Sequence, residues 1–153
     1  MKNARKQRGF TLLELLVVMV IAGIMLGVVS FNALPNSRQR LESDAKRLAL
    51  LFQLARDEAI LRNLPVAFDV DQYGYHFLVR EDRVWSPLKD DMLRERSFEL
   101  SPIQLNIEPP QNQANVRIIF GREPVDKPFV LTLKTPDASV KIIADGVGHY
   151  SVE

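Results

Sequence analysis

The chain contains no cysteine, so no disulfide staples it and no thiolate chemistry is open to it. An oxidising compartment is compatible with this, and the fold has to be held by its own apolar core. Histidine is almost as scarce. His76 and His149 are far apart in sequence, and each precedes an aromatic residue, Phe77 or Tyr150. With no cysteine and no nucleophile motif, both read as ordinary strand positions, not as metal ligands or bases. No internal repeat and no low-complexity tract is present. No catalytic constellation is found, and neither an enzyme activity, a metal, a cofactor nor a small-molecule substrate is expected.

Charge is missing in one place above all. From Leu15 to Phe31 there is none. The stretch from Phe10 to Leu34 is apolar except for Thr11, Glu14, Ser30 and Asn32. About 20 apolar residues suffice to cross a bilayer as a helix, at a rise of roughly 1.5 Å per residue. Before this stretch, Lys2, Arg5, Lys6 and Arg8 place four of the 20 Lys+Arg in the first nine residues. The remaining 16 face 19 Asp+Glu, a balance of −3 for the rest of the chain. A basic end ahead of an apolar run is the signal for a cytoplasmic N-terminus. The acidic remainder argues against charge-driven nucleic-acid binding. A secretory signal peptide would end in a small-residue cleavage site and be discarded, and Ala22-Gly23 and Ser30-Phe31 are imperfect candidates for one.

Pro35 breaks or kinks the run near Leu34. A second helix is predicted over 37–63, capped by Asn36 or Ser37 and ending near Asn63, ahead of Pro65. Leu41, Ala45, Leu48, Phe52, Ala55 and Ala59 recur at spacings of 3 and 4, one apolar stripe with the charged residues mostly off it. Its best use is packing on a sheet.

Beyond Pro65 the period falls to two. Val66, Phe68 and Val70 alternate with polar or small partners, as do Tyr75, Phe77 and Val79. Gln72-Tyr73-Gly74 is the predicted turn between them, with Gly74 able to take positive φ. Further strands are predicted at Gln104–Ile107, Val116–Phe120, Phe129–Lys134, Val140–Ala144 and Val147–Val152, with a turn at Thr135-Pro136-Asp137-Ala138. The Pro-rich loops 108–115 and 121–128 read as mobile or fitted to a partner. Asp90-Asp91 and Arg94-Glu95-Arg96 read as a solvated loop or short helix. Trp85 reads as a core or edge residue. Asp69-Val70-Asp71-Gln72-Tyr73-Gly74 opens like a calcium loop, but Arg80 stands where the bidentate carboxylate belongs, so a plain hairpin is expected.

The most informative run is Arg8-Gly9-Phe10-Thr11-Leu12-Leu13-Glu14. A carboxylate inside an apolar helix costs roughly 2.5–3.5 kcal/mol on insertion scales, so a function or a counter-charge has to justify Glu14. Gly9, Phe10 and Glu14, after basic residues and before an apolar helix, resemble the class III signal of type IV pilins and type II secretion pseudopilins. The resemblance implies cleavage after Gly9 by a prepilin peptidase, N-methylation of Phe10, and pairing of Glu14 with the N-terminal amine of a neighbouring subunit. A cation supplied in trans would offset the desolvation of that carboxylate.

The stripe Leu41–Ala59, the run Arg56-Asp57-Glu58-Ala59-Ile60, the hairpin from Pro65 to Val79 and Asp145-Gly146-Val147-Gly148 are similar to the H-type minor pseudopilins of type II secretion, the GspH family. The likeness is loose over Phe98–Pro128 and is shared with FimT-type minor pilins of type IV pili, some of which bind DNA. That alternative wants basic residues near the C-terminus, and His149–Glu153 has none. An acidic C-terminal calcium loop of the major pseudopilin kind is not seen. The implied fold is α+β and pilin-like. A long N-terminal helix, half transmembrane and half amphipathic, packs on an antiparallel β-sandwich head. The implied organisation is a leader over 1–9, an assembly helix over 10–34 and a periplasmic head over 35–153, with its amphipathic helix at 37–63 and its β-rich part at 65–153. The implied setting is the bacterial inner membrane, crossed once. The implied partners are the prepilin peptidase and other minor and major pseudopilins.

Overall fold

The computed structural model describes residues 11–32, 36–111 and 115–153. They fall into two units, Met1–Pro35 and Asn36–Glu153. The break expected at Pro35 lies outside the described residues.

In the first unit, α1 runs over Leu12–Asn32. Thr11 opens it: its hydroxyl oxygen accepts from the Glu14 N–H at 3.3 Å, which satisfies one of the donors that a helix start leaves free. Glu14 sits in the first turn, where the positive end of the helix dipole favours an acid.

In the second unit, α2 spans Ser37–Arg62. Of the two expected caps, Asn36 is the one used. Its side chain accepts from the Gln39 N–H at 2.8 Å, and the Gln39 side chain accepts from the Asn36 N–H at 3.2 Å. The helix closes at Asn63, which takes the left-handed conformation at φ 55. All six residues of the predicted stripe are fully buried. Asp44, Ala49 and Leu51 join them, widening the buried face beyond one stripe. The reason is that α2 lies against strands of two sheets.

The first sheet holds β1 (Val66–Val70), β2 (Gly74–Glu81), β3 (Val84–Pro87), β4 (Arg96–Ser97) and β6 (Val116–Phe120). Its order is β3-β2-β1-β6, with β4 also on β2. The second holds β5 (Gln104–Glu108), β7 (Phe129–Lys134), β8 (Ser139–Ala144) and β9 (Tyr150–Val152), in the order β5-β7-β8-β9. Every pairing is antiparallel. Alternate residues Val66, Phe68 and Val70 of β1 face Val79, Phe77 and Tyr75 of β2 in register and turn inward together. With Phe120, Leu131, Leu133, Val140, Ile142 and the stripe of α2 they form one core.

Three expectations need correction. Gly74 does not take positive φ; it opens β2, and a Cβ there would lie 2.5 Å from the Arg96 carbonyl oxygen, so glycine serves the close approach of β4. The turn itself is closed by Asp71, whose Oδ1 accepts from the Tyr73 and Gly74 N–H groups at 2.8 and 2.9 Å. Of Arg94-Glu95-Arg96, read as a solvated loop or short helix, Arg94 and Glu95 are exposed loop, but Arg96 pairs with Tyr75 as a strand. The last strand begins only at Tyr150, since 145–149 form a turn closed by Asp145.

Candidate assembly surfaces

Every described side chain of α1 from Leu12 to Leu26 is exposed, including Leu12 at 82%, Met19 at 76% and Leu26 at 70%. An apolar surface this continuous requires lipid or protein around it. Among the described residues no helix is long and apolar enough to cross a membrane, and the fully described part of α1 ends at Leu26. Gly9 and Phe10, the expected cleavage and methylation positions, lie outside the described residues. Glu14 is within them, exposed, and has no cationic partner among them. Thr11 is a participant that the sequence reading passed over. Its signal was present, since Thr-x-x-Glu before an apolar run is a helix-start pattern.

On the head, the loop 121–128, expected to be mobile or partner-fitted, is tied down. The Asp126 carboxylate accepts from the Gly121 N–H at 3.0 Å, the Asp126 N–H donates to the Gly146 carbonyl at 2.7 Å, and Arg56 of α2 donates to the Pro124 carbonyl. Gly146 (φ +84) and Gly148 (φ +105) let the facing turn run this close, because a Cβ at either would strike Asp126 or Arg56. Asp145 accepts from the Val147 and His149 N–H groups, which, with the neighbouring His149 ring, hold its carboxyl down at about 2.

The histidines stay apart from each other in role. His76 is on β2 with its Nε2 3.8 Å from Asp69, and the Nδ1 of His149 is 2.8 Å from Asp145. Asp69, the first residue of the calcium-like run, is held by both guanidinium arms of Arg117. Trp85 is a half-buried edge residue, with Arg80 and Arg117 at 5.8 and 5.6 Å from its ring.

Asp44 is the buried charge of α2, exposed by only 2%. It accepts from the Glu99 N–H at 3.0 Å and lies 3.7 Å from Arg47. Burial raises its pKa, outweighing the Glu99 N–H bond. A raised carboxyl prefers its proton in the folded state. The resulting cost is absent below the unfolded value of 3.8 and sets in as pH rises through the folded value. Asp44→Asn keeps the acceptor and drops the charge, so its melting temperature at pH 7 is expected to be no lower than the parent's. Any advantage should vanish as pH falls to 3.5. Asp44→Ala leaves the Glu99 N–H without its partner and should cost about 1–3 kcal/mol. Thermal melts across this pH range check both, and an asparagine variant weaker than the alanine one would contradict the account.

With this geometry in place the chain can be set beside known proteins. Residues 4–30 match the prokaryotic N-terminal methylation motif, and the two antiparallel sheets with α2 complete a pilin-like α+β protein. Residues 44–148 match the type II transport protein GspH family, and the chain belongs to that family. Type II secretion system protein H of Pseudomonas aeruginosa is 36% identical over 104 residues, covering 63% of this chain and 60% of that one. Its counterpart in Aeromonas hydrophila is 24% identical over 159 residues, covering 90% and 86%. The minor pseudopilin EpsH of the type 2 secretion system of Vibrio cholerae shares the fold, with a TM-score of 0.56 at 20% identity over 72% of this chain and 93% of that one.

Proposed function

We propose that the chain is the H-type minor pseudopilin of a type II secretion system. In this reading the apolar helix is both inner-membrane anchor and assembly rod, and the head stands in the periplasm. The peptidase cuts after Gly9, Phe10 becomes the methylated N-terminus, and Glu14 meets the amine of a neighbouring subunit. The observation that carries the reading is α1 itself: from Leu12 to Leu26 an exposed apolar surface, interrupted by one carboxylate without a cationic partner among the described residues. The methylation motif over 4–30 and the family match over 44–148 support it from both ends of the chain.

A soluble enzyme or binding domain has no use for such a helix, whereas a fibre subunit buries it against copies of the same helix. The capped, separately cored α2 and its sheets supply a rigid head to carry partner contacts. Partners are then other pseudopilins, and the peptidase acts once, before assembly. Mass spectrometry of the protein purified from cells with an active prepilin peptidase should find N-methylated Phe10 as the first residue. Cleavage after Ala22 or Ser30 would contradict the proposal.

A further inference from the structure

The loop 121–128, which joins β6 to β7, is held to the head by few bonds. None of its side chains is buried, and Pro124 and Pro128 have no N–H to give. Among the described residues two hydrogen bonds tie it to the rest of the head. The Asp126 N–H donates to the Gly146 carbonyl at 2.7 Å, and Arg56 of α2 donates to the Pro124 carbonyl. A third bond is internal. The Asp126 carboxylate accepts from the Gly121 N–H at 3.0 Å and closes the loop on itself. A segment with no buried side chain and so few ties opens at a lower free energy than the core beside it.

Both ties to the head meet at the turn 145–149. Gly146 supplies the carbonyl for one, and Gly148, at φ +105, lies against the Arg56 guanidinium that makes the other. A Cβ at Gly148 would sit 2.9 Å from Arg56 Cζ, so only glycine leaves room for the planar group beside the turn. Among the described residues Arg56 has no acid within ion-pair distance, and its buried Nε has no hydrogen-bond partner. A buried donor left unmet costs free energy, which weakens the hold of this guanidinium on its place. The loop also walls a cleft of about 500 Å³, which Asp126, Lys127 and Pro128 line together with Phe129 and Tyr150.

We infer that loop 121–128 is a strap with Arg56 as its latch, and that it lifts as one piece to widen the cleft at Phe129 and Tyr150. The Gly121–Asp126 bond keeps the strap closed on itself as it moves, while Phe120 and Phe129 stay anchored in the ladders of β6 and β7. Lifting breaks only the bonds to Pro124 and Gly146. The turn 145–149 stays in place, because Asp145 closes that turn from within. The device belongs to the head alone and does not depend on the fibre reading.

Hydrogen exchange read at single amides by NMR of the full-length, detergent-solubilised protein tests this. In Arg56→Gln the Asp126 amide is expected to exchange about tenfold faster or more, while the Gly121 amide and the β1–β6 ladder keep their rates. Asp126→Ala should instead free the Gly121 amide, which separates lifting from melting. Arg62→Gln, exposed and further along α2, removes the same charge and should change neither rate. A dissolved gadolinium chelate should broaden the Tyr150 ring signals more strongly in Arg56→Gln than in the parent. An unchanged Asp126 rate in Arg56→Gln, or an equal rise in Arg62→Gln, would overturn the latch. A joint rise of the Gly121 and Asp126 rates in Arg56→Gln would mean melting and overturn the one-piece movement. A rise throughout the ladder would reduce Arg56 to a residue of general stability and overturn the proposal as well. Unchanged broadening at Tyr150 would overturn the widening of the cleft.

Discussion

Replacing Phe52 by alanine is expected to destabilise the head by about 3–5 kcal/mol, a large share of what a small domain has. Phe52 is fully buried in the middle of α2, at the place where helix and both sheets meet. Its ring centre lies 4.8 Å from that of Phe68 on β1 and 5.7 Å from that of Phe120 on β6. On the other side it lies 5.9 Å from Phe129 on β7 and 5.8 Å from Tyr150 on β9. These four rings belong to different strands, so no single shift of a strand can fill the space that alanine would leave. The cost is therefore expected at the upper part of the range, where neighbours cannot collapse inward. Leu50, two residues away and 69% exposed, is the control, and Leu50→Ala should change stability by less than about 0.5 kcal/mol. Thermal denaturation of the detergent-solubilised protein checks both, with a fall of about 10 °C or more expected for Phe52→Ala. A melting curve that moves no further for Phe52→Ala than for Leu50→Ala would contradict the packing described.

The same helix shows what the sequence made legible. Its apolar stripe, its cap at Asn36 and its end at Asn63 are local features, governed by a period and by short-range hydrogen bonds, and all three can be read from neighbouring residues. The strands Val66–Val70, Val116–Phe120 and Phe129–Lys134 were legible for the same reason. β3 was not. It is joined to β2 through Asp82 and Arg83, both at positive φ (47 and 69), a hairpin turn made without the glycine or asparagine that usually marks one. β4 is only two residues long and exists because Gly74 lets it approach β2, a long-range fact that no window contains. Asp44 and Gln111 were missed likewise: one caps an N–H 55 residues away, and the other completes a strand edge that appears only once the sheet has formed. The N-terminal methylation motif was legible because it is one short contiguous run, recognisable apart from the folded head.

The central claim is that Glu14 serves assembly and not insertion. Its neighbours Leu12, Leu13, Leu15 and Leu16 are all exposed along α1 and are apolar enough to hold the helix in lipid without help. Removing the carboxylate should make insertion more favourable, by at most the roughly 2.5–3.5 kcal/mol that an acid costs at a helix centre, since Glu14 sits in the first turn. If the charge were only tolerated, a leucine there would leave the protein as active as before or more so. If Glu14 instead meets the Phe10 amine of a neighbour, leucine removes the one group that orients a sliding apolar helix along another. The two helices would still mix in the bilayer, but no register would be favoured over the next. The decisive measurement is secretion by a strain deleted for this chain and complemented with Glu14→Leu, together with crosslinking to the other pseudopilins. The expected result is a protein that is inserted and processed to Phe10, yet is not crosslinked to its partners and does not restore secretion. Normal crosslinking with normal secretion would contradict the pairing role.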